Sequence, residues 1–223
     1  MWKNALGLLV MFTSSYTVTA EFFGFLRYNK IPQEIEETPP YQFGNLTFFG
    51  SGCPEGTVKT VKSSDNQTFS VIFSSYMSET SETKRMARTS CNLAVPVDVK
   101  EGFSIGIFKT DYRGFADVPD THRKNYARFG AEYFFAGNKG PTVSKTFPSG
   151  SSEDFFISDD LVVSSAVYSA CGASTVFRIN TAITAYKRKN TDNDVFIGID
   201  TIDTTIEESK NFGFHYYITQ KKC

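Results

Sequence analysis

The chain has two histidines, so histidine-based acid-base or nucleophilic catalysis has only two places to occur. His122 lies near Asp120 and Arg123 in a predicted loop, whereas His215 alternates with aromatic residues in the last predicted strand. A Ser-His-Asp triad assembles in space rather than along the chain, so the sequence leaves that arrangement open. It contains no His-x-x-x-His pair and no glycine-rich phosphate loop. We therefore predict no catalytic residue, no metal ligand and no cofactor.

The segment 111–114, with the sequence DYRG, is a polar motif for which the sequence allows a structural role or a binding role. A structural role is expected first, in which Tyr112 packs, Arg113 pairs with a carboxylate and Gly114 takes a positive φ. The alternative is binding, because an exposed tyrosine presents a flat apolar face with a polar tip to a sugar ring. Tyr112 and Arg113 are therefore candidate binding residues.

Two neighbouring tyrosines and a basic stretch are the other candidates. Tyr216 and Tyr217 follow each other in a predicted strand and point to opposite faces, so one belongs to the core and the other is a candidate contact. The polar stretch 74–88 carries three basic residues close together, Lys84, Arg85 and Arg88. We expect a solvated loop or a short helix there, with contact to a sulfate or an acidic glycan as the alternative.

Alternating apolar residues predict the strands that must position these side chains. From Leu93 to Val99 every second residue is apolar, a turn follows at 100–102, and the alternation resumes at Phe103. Pro96 cannot donate to a ladder, which indicates an edge strand or a bulge at that point. About ten short strands separated by turns, without a long helical period, predict an all-β antiparallel β-sandwich, of which a jelly roll is one form.

The start of the chain and its cysteines predict export. Residues 1–20 read as a signal peptide, with a basic start, an apolar core and a small-residue cleavage site ending at Ala20. Four cysteines in an exported chain imply two disulfides, for which three connectivities exist. Topology favours Cys53 with Cys91, because a hairpin that opens at Cys53 leads back towards Cys91. It likewise favours Cys171 with Cys223, which open and end two strands expected to be antiparallel neighbours.

Residues 21–49 are predicted to form an extended N-terminal arm that precedes a sandwich domain at 50–223. An aromatic cluster at 22–26 is followed by Pro32, an acidic run and two more prolines, a density that argues against core strands. The arm is expected either to remain a tail or to add a strand to another subunit. Two N-glycosylation sequons begin at Asn45 and Asn66, so we predict glycans at both if the source is eukaryotic.

Short motifs occur in one order along 50–223. They are Gly50–Pro54, Ser90–Leu93, Gly102-Phe103, Asp111–Ala116, Cys171–Ser174 with Ile179-Asn180-Thr181, and the terminal Lys221-Lys222-Cys223. On these motifs and the four cysteines, the chain resembles the secreted-protein family known as domain of unknown function 4360. The resemblance implies a small secreted β protein and carries no established activity with it.

Charge and hydropathy argue against two classes of partner. The net charge is −1 and the basic residues form no stripe, which argues against nucleic acid. The N-terminal apolar run is too short to span a bilayer and no other run is longer, so we expect no membrane span.

The function predicted from the sequence is that of a secreted, non-catalytic structural or binding protein of an extracellular surface, wall or matrix. Its candidate partners are a glycan or copies of itself, the latter through the N-terminal arm. The alternative is a secreted glycan-active hydrolase or lyase built on a β-sandwich scaffold.

Overall fold

The computed structural model describes residues 39–64, 68–135, 138–160, 168–189, 193–199 and 214–223, all within the compact unit Glu37–Cys223. The predicted signal peptide, residues 21–38 of the predicted arm and the sequon residue Asn66 lie outside the described residues. Within the described ranges, no helix is long and apolar enough to cross a membrane.

The described residues form thirteen strands and no helix. The strands are β1 (Tyr41–Phe43), β2 (Thr47–Phe49), β3 (Val58–Lys62), β4 (Thr68–Phe73), β5 (Met77–Glu79), β6 (Met86–Val99), β7 (Phe103–Val118), β8 (Tyr126–Phe135), β9 (Asn138–Pro148), β10 (Ser151–Asp160), β11 (Thr175–Tyr186), β12 (Phe196–Ile199) and β13 (Phe214–Lys222).

These strands build two sheets in which every described pairing is antiparallel. Sheet A has the order β1-β6-β11-β8-β9, and β2 also pairs with β6. Sheet B has the order β3-β4-β13-β7-β12-β5, and β10 also pairs with β7. The all-β antiparallel sandwich predicted from the alternation is confirmed.

The two sheets pack through the side chains that the alternation points inward. Leu93, Val95 and Val97 of β6 are at most 4% exposed. Across the interface, the ring centroids of Phe129 in sheet A and Tyr112 in sheet B lie 4.8 Å apart. Apolar burial of this kind is the main stabilising contribution in a sandwich of this size. It also fixes the register, because a slip of one residue would turn each strand's apolar side to solvent.

The predicted edge strand or bulge at Pro96 is wrong, because β6 is paired on both sides and its register with β11 runs through Pro96 without a shift. Pro96 instead lies at the gap between β1 and β2. Its direct partner on the β11 side is Val176, whereas β1 and β2 meet the other side of β6 at 97–99 and 92–94. The backbone of Pro96 faces the short connection between β1 and β2, where its carbonyl accepts a hydrogen bond from the Gly44 N–H at 2.9 Å. The missing proline N–H therefore costs no strand pairing.

Both disulfides join the pairs expected from the topology, Cys53 with Cys91 and Cys171 with Cys223. The first ties the loop before β3 to the middle of β6. The second ties the segment before β11 to the end of β13, where the Cys223 N–H also donates to the Gly102 carbonyl. Each disulfide thus holds together segments that are far apart in sequence.

Residues 41–43 and 47–49 of the predicted arm pair with strand β6 of the same chain. Tyr41 is 3% exposed, and Phe43, Leu46 and Phe48 pack against the core. Their burial accounts for the pairing of these two short strands. Strand addition to another subunit stays a prediction for the arm residues before 39.

Candidate functional site

The outward face of sheet A forms a groove of about 490 Å³ across strands β6, β11, β8 and β9. Inward residues of these strands alternate with outward ones, and most of the residues that line the groove are the outward ones between the apolar positions. Most of the lining side chains are polar or small. The sheet register arranges them in three cross-strand rows.

The first row, here called the arginine row, contains Arg88, Thr184 and Arg128. Thr184 of β11 lies directly opposite Arg88 on β6 and directly opposite Arg128 on β8. Both arginines are exposed. Residues directly opposite each other in an antiparallel sheet share a face, so both arginines line the same groove.

The second row, here called the small row, forms the floor. It consists of Ser90, Ala182, Gly130 and Ser144 on four consecutive strands of the sheet. A Cβ at Gly130 would meet no atom closer than the Val143 carbonyl oxygen at 3.8 Å, so open space lies above this position. Small side chains here therefore leave the middle of the groove unfilled.

The third row, here called the amide row, offers hydrogen-bonding groups. It consists of Asn92, Asn180, Glu132 and Thr142. The two amides provide donors as well as acceptors, which is the combination that sugar hydroxyls require. Glu132 accepts from Lys139 Nζ at 3.2 Å, so its charge is already paired.

Aromatic side chains lie beside the groove, beyond the residues that line it. Phe49 of β2 continues the amide row, opposite Asn92, and is 80% exposed. In the next row beyond the arginines, Tyr126 and Tyr186 stack with ring centroids 5.2 Å apart. An exposed aromatic ring such as Phe49 can pack its flat apolar face against the apolar face of a sugar ring.

Arg88 and Arg128 have no carboxylate partner among the described residues. The ion pairs in those ranges join Lys109 to Asp111, Lys139 to Glu132, Lys145 to Glu153 and Lys187 to Asp194. The groove therefore presents two guanidinium groups and no unpaired carboxylate from its own lining.

Tyr112 and Tyr216 lie in the core, at 0% and 1% exposure. The Tyr112 hydroxyl hydrogen-bonds to that of Tyr133, and Tyr216 stacks on Phe69 with centroids 4.7 Å apart. Burial raises the pKa of both hydroxyls well above 10.0, and Tyr133 adds to the rise. Both tyrosines are therefore neutral packing residues at physiological pH.

Arg113 and Tyr217 reach the outward face of sheet B, on the other side of the sandwich from the groove. Tyr217 donates to Asp111 Oδ2 at 3.0 Å, and burial together with that hydrogen bond raises the pKa of Tyr217. Arg113 has no carboxylate within salt-bridge distance among the described residues, and its guanidinium lies 4.3 Å from the Phe156 ring centroid. A binding role for this pair stays a prediction.

The positive φ predicted for Gly114 is wrong, and a different constraint requires glycine at this position. Gly114 does not have a positive φ, whereas Gly102, at the turn before β7, does. A Cβ at position 114 would instead overlap the Gly198 carbonyl oxygen and come within 2.6 Å of the Phe155 ring. Close approach of neighbouring strands requires the glycine.

The two histidines are in different environments. His122 Nδ1 accepts from the Lys124 N–H at 3.0 Å and shapes the loop between β7 and β8. His215 lies between Ser70 and Asp111 in a row across sheet B, and its Nδ1 is 2.8 Å from Ser70 Oγ. Ser70, His215 and Asp111 are each at most 7% exposed, so the contact between His215 and Ser70 is buried.

Residues 102–106 have the spacing Gly-x-Ser-x-Gly, but the structure does not make them a nucleophile elbow. That motif requires a sharp strand-to-helix turn that exposes the serine. Ser104 instead lies within β7, is 2% exposed, and donates to the Ser169 carbonyl at 2.6 Å. The described residues also contain no cluster of three or more His, Cys, Asp or Glu side chains that could hold a metal.

Sequence reasoning identified Arg88 among three basic residues but missed the rest of the groove. Arg128, Asn92, Asn180 and Phe49 come from different strands, and only the register brings them together. The available signal was the run of small or polar residues between apolar ones on β6, β8 and β11.

The comparisons with known proteins agree with a secreted protein. An uncharacterized secreted protein of Arthroderma benhamiae is 27% identical over 169 residues, which cover 73% of this chain and 66% of that relative. With two disulfides and this relative, the predicted extracellular location is confirmed.

Two solved structures have weak similarity. One is TmCBM61 in complex with beta-1,4-galactotriose, at 14% identity and a TM-score of 0.28, covering 83% of this chain and 92% of that one. The other is a GH31 alpha-xylosidase from Xanthomonas citri, at 9% identity and a TM-score of 0.19, covering 82% of this chain and 21% of that one.

The model of the family described as "Domain of unknown function (DUF4360)" matches residues 41–217, and the chain therefore belongs to that family.

Proposed function

We propose that this secreted protein binds a carbohydrate chain, without cleaving it, in the groove on the outward face of sheet A. The observation that carries the proposal is the three-row arrangement of arginine, small and amide positions on one face. Polar groups converge above a floor of small side chains, as in ligand sites that fix orientation by a few hydrogen bonds. A groove of about 490 Å³ falls within the range of such sites.

The groove chemistry supports binding rather than hydrolysis. Glycoside hydrolysis commonly uses two carboxyl groups facing each other across the scissile bond. Among the described residues that line the groove, Glu132 is the one with a carboxylate, and Lys139 already pairs with it. The exposed ring of Phe49 adds a stacking surface at the end of the amide row.

Substitution of the floor glycine tests the site. Gly130→Leu would fill the groove above the small row, whereas Gly130→Ala adds one methyl group into open space and serves as the matched control. Purified wild-type protein and both variants would be applied to a panel of neutral and acidic wall oligosaccharides, with titration calorimetry on each ligand retained. We expect Gly130→Ala to bind and Gly130→Leu to lose binding while both unfold at wild-type temperatures.

Two outcomes would contradict the proposal. Equal binding by wild type and Gly130→Leu would show that the groove is not the site. Chromatography of the incubation mixture would detect shortened oligosaccharides. Their release would show that the protein is an enzyme rather than a binding protein.

A further inference from the structure

Resting on the proposed function, we propose that the groove selects acidic glycans and holds the carboxylate of a uronic acid between Arg88 and Arg128. The two arginines are placed for this by the sheet itself. They lie on the strands either side of β11 and face the same Thr184. With neighbouring strands about 4.8 Å apart, their Cα atoms are about 10 Å apart, so both long side chains can reach one anion.

The charges of the groove favour an anionic ligand. Neither guanidinium has a carboxylate partner among the described residues, and both are exposed. The lining carboxylate, Glu132, is four residues along β8 from Arg128, which corresponds to about 13 Å, and it is held by Lys139. The groove's own acidic group therefore does not satisfy the arginines.

A guanidinium group matches the geometry of a carboxylate. Its planar fork of N–H donors forms two parallel hydrogen bonds to one carboxylate, which a single ammonium group cannot do. Two such forks on one face can bind a carboxylate from both sides. Their mutual repulsion across roughly 10 Å of water is only about 0.4 kcal/mol, too small to disturb the fold.

The rest of the groove suits the neutral part of a uronic acid oligosaccharide. The small row leaves room for sugar rings beside the arginine row, with Gly130 at its centre. Asn92 and Asn180 of the amide row can bind hydroxyl groups on the next sugar, and Phe49 can stack against it. Sugar chains with an acid group at one position and hydroxyls farther along therefore fit all three rows.

Matched ligands test the charge directly. The probes are uronic acid oligosaccharides of the pectin and alginate types, the same oligosaccharides after carboxyl reduction, and a sulfated neutral oligosaccharide. Titration calorimetry would be carried out with wild type, Arg88→Gln, Arg128→Gln and the matched control Arg123→Gln, which removes an exposed arginine from the loop between β7 and β8.

We expect an acidic oligosaccharide to bind wild type roughly ten- to a hundred-fold more tightly than its carboxyl-reduced form, the range of a charge-assisted hydrogen bond. Arg88→Gln and Arg128→Gln should each abolish most of this preference and Arg123→Gln should keep it. The preference should also weaken as the salt concentration is raised from 50 to 500 mM, because at the higher concentration the screening length is only about 4 Å. Thermal unfolding should be unchanged, since both groove arginines are exposed.

Each alternative outcome has a separate meaning. Equal binding of acidic and carboxyl-reduced oligosaccharides would overturn the acidic selectivity and leave the proposed function standing. Binding of the sulfated probe alone would overturn the assignment of a carboxylate. Binding of no probe by the wild type would overturn both the selectivity and the proposed function.

Discussion

Arg88 on β6 and Arg128 on β8 lie directly opposite the same residue, Thr184 of β11, and therefore face one groove. This relationship depends on register alone, because the two arginines are 40 positions apart in the sequence. The apolar inward side of each strand fixes that register. The core and the candidate site are thus specified by the same alternation, one on each face of sheet A.

Phe49→Ala should weaken carbohydrate binding without lowering stability. The ring is 80% exposed at the end of the amide row, so its loss leaves no cavity. Stacking contributions of about 0.5–1.5 kcal/mol correspond to roughly a two- to twelve-fold rise in Kd. Titration calorimetry measures the change, and Phe156→Ala, which removes a half-exposed ring from sheet B, is the control. A larger effect at Phe156 would place the ligand on the wrong sheet for our proposal.

Gly114→Ala should lower the free energy of unfolding by about 1–3 kcal/mol, the cost of overpacking a tight site. The added Cβ would press on the Gly198 carbonyl oxygen and the Phe155 ring. Urea unfolding compares it with Gly130→Ala, where the space is open. Gly114→Asn separates the two explanations, since asparagine tolerates a positive φ better than alanine but is larger. If asparagine were the better tolerated of the two, backbone conformation rather than space would require the glycine.

Local patterns predicted the core well because burial depends on alternation along each strand. The apolar residues of β6 and the opposite orientations of Tyr216 and Tyr217 follow from period two. The polar stretch 74–88 was predicted as a loop or short helix, yet it contains β5 and the start of β6. Its backbone is paired by β12 and β11, partners more than 80 residues away that the local composition does not reveal.

The groove could not be predicted in the same way. Its lining combines outward residues of four strands, and each of these residues is individually ordinary for a solvated sheet face. The sequence groups Arg88 with Lys84 and Arg85, whereas the sheet places Arg88 on the same face as Arg128, with Thr184 between them. The polar composition of the DYRG motif made Tyr112 a candidate binding residue, but Tyr112 lies in the core.

Removal of either disulfide should lower stability by about 4 kcal/mol, the loop-closure value for 38 or 52 residues. Cys53→Ala with Cys91→Ala and Cys171→Ala with Cys223→Ala are the paired variants. Urea unfolding measures the loss. Because Cys53 and Cys91 are buried and Cys171 and Cys223 are exposed, cavity terms should make the first pair the costlier one. The reverse order would show that tethering the end of β13 matters more than core packing.

Asn45 should carry an N-linked glycan when the protein is secreted from a eukaryotic host. It is exposed in the connection between β1 and β2, where a glycan has room. Intact-mass measurement before and after enzymatic deglycosylation detects it. Asn45→Gln should remove one glycan mass and Asn66→Gln tests the second sequon separately. An unchanged mass for Asn45→Gln would refute the prediction at that site.

Stability should fall steeply above pH 10 because the core tyrosines keep their protons when folded. Burial raises the pKa of Tyr112 and Tyr216 well above the ordinary 10.0, so above that pH the unfolded chain binds fewer protons than the folded one. Their contribution is complete below pH 10 and is lost as pH rises towards the folded pKa. Each tyrosine can contribute a slope of up to about 1.4 kcal/mol per pH unit.

Urea unfolding between pH 8 and 11 measures this slope, and Tyr112→Phe or Tyr216→Phe should reduce it by up to that amount. Tyr217→Phe should reduce the slope less than either core variant, because the pKa of Tyr217 is also raised but its half-buried hydroxyl is partly screened by solvent. All four cysteines are in disulfides, so no free thiol starts disulfide exchange in this pH range. An alkaline slope that stays the same in both core variants would mean that these tyrosines ionise in the folded protein, contrary to their burial.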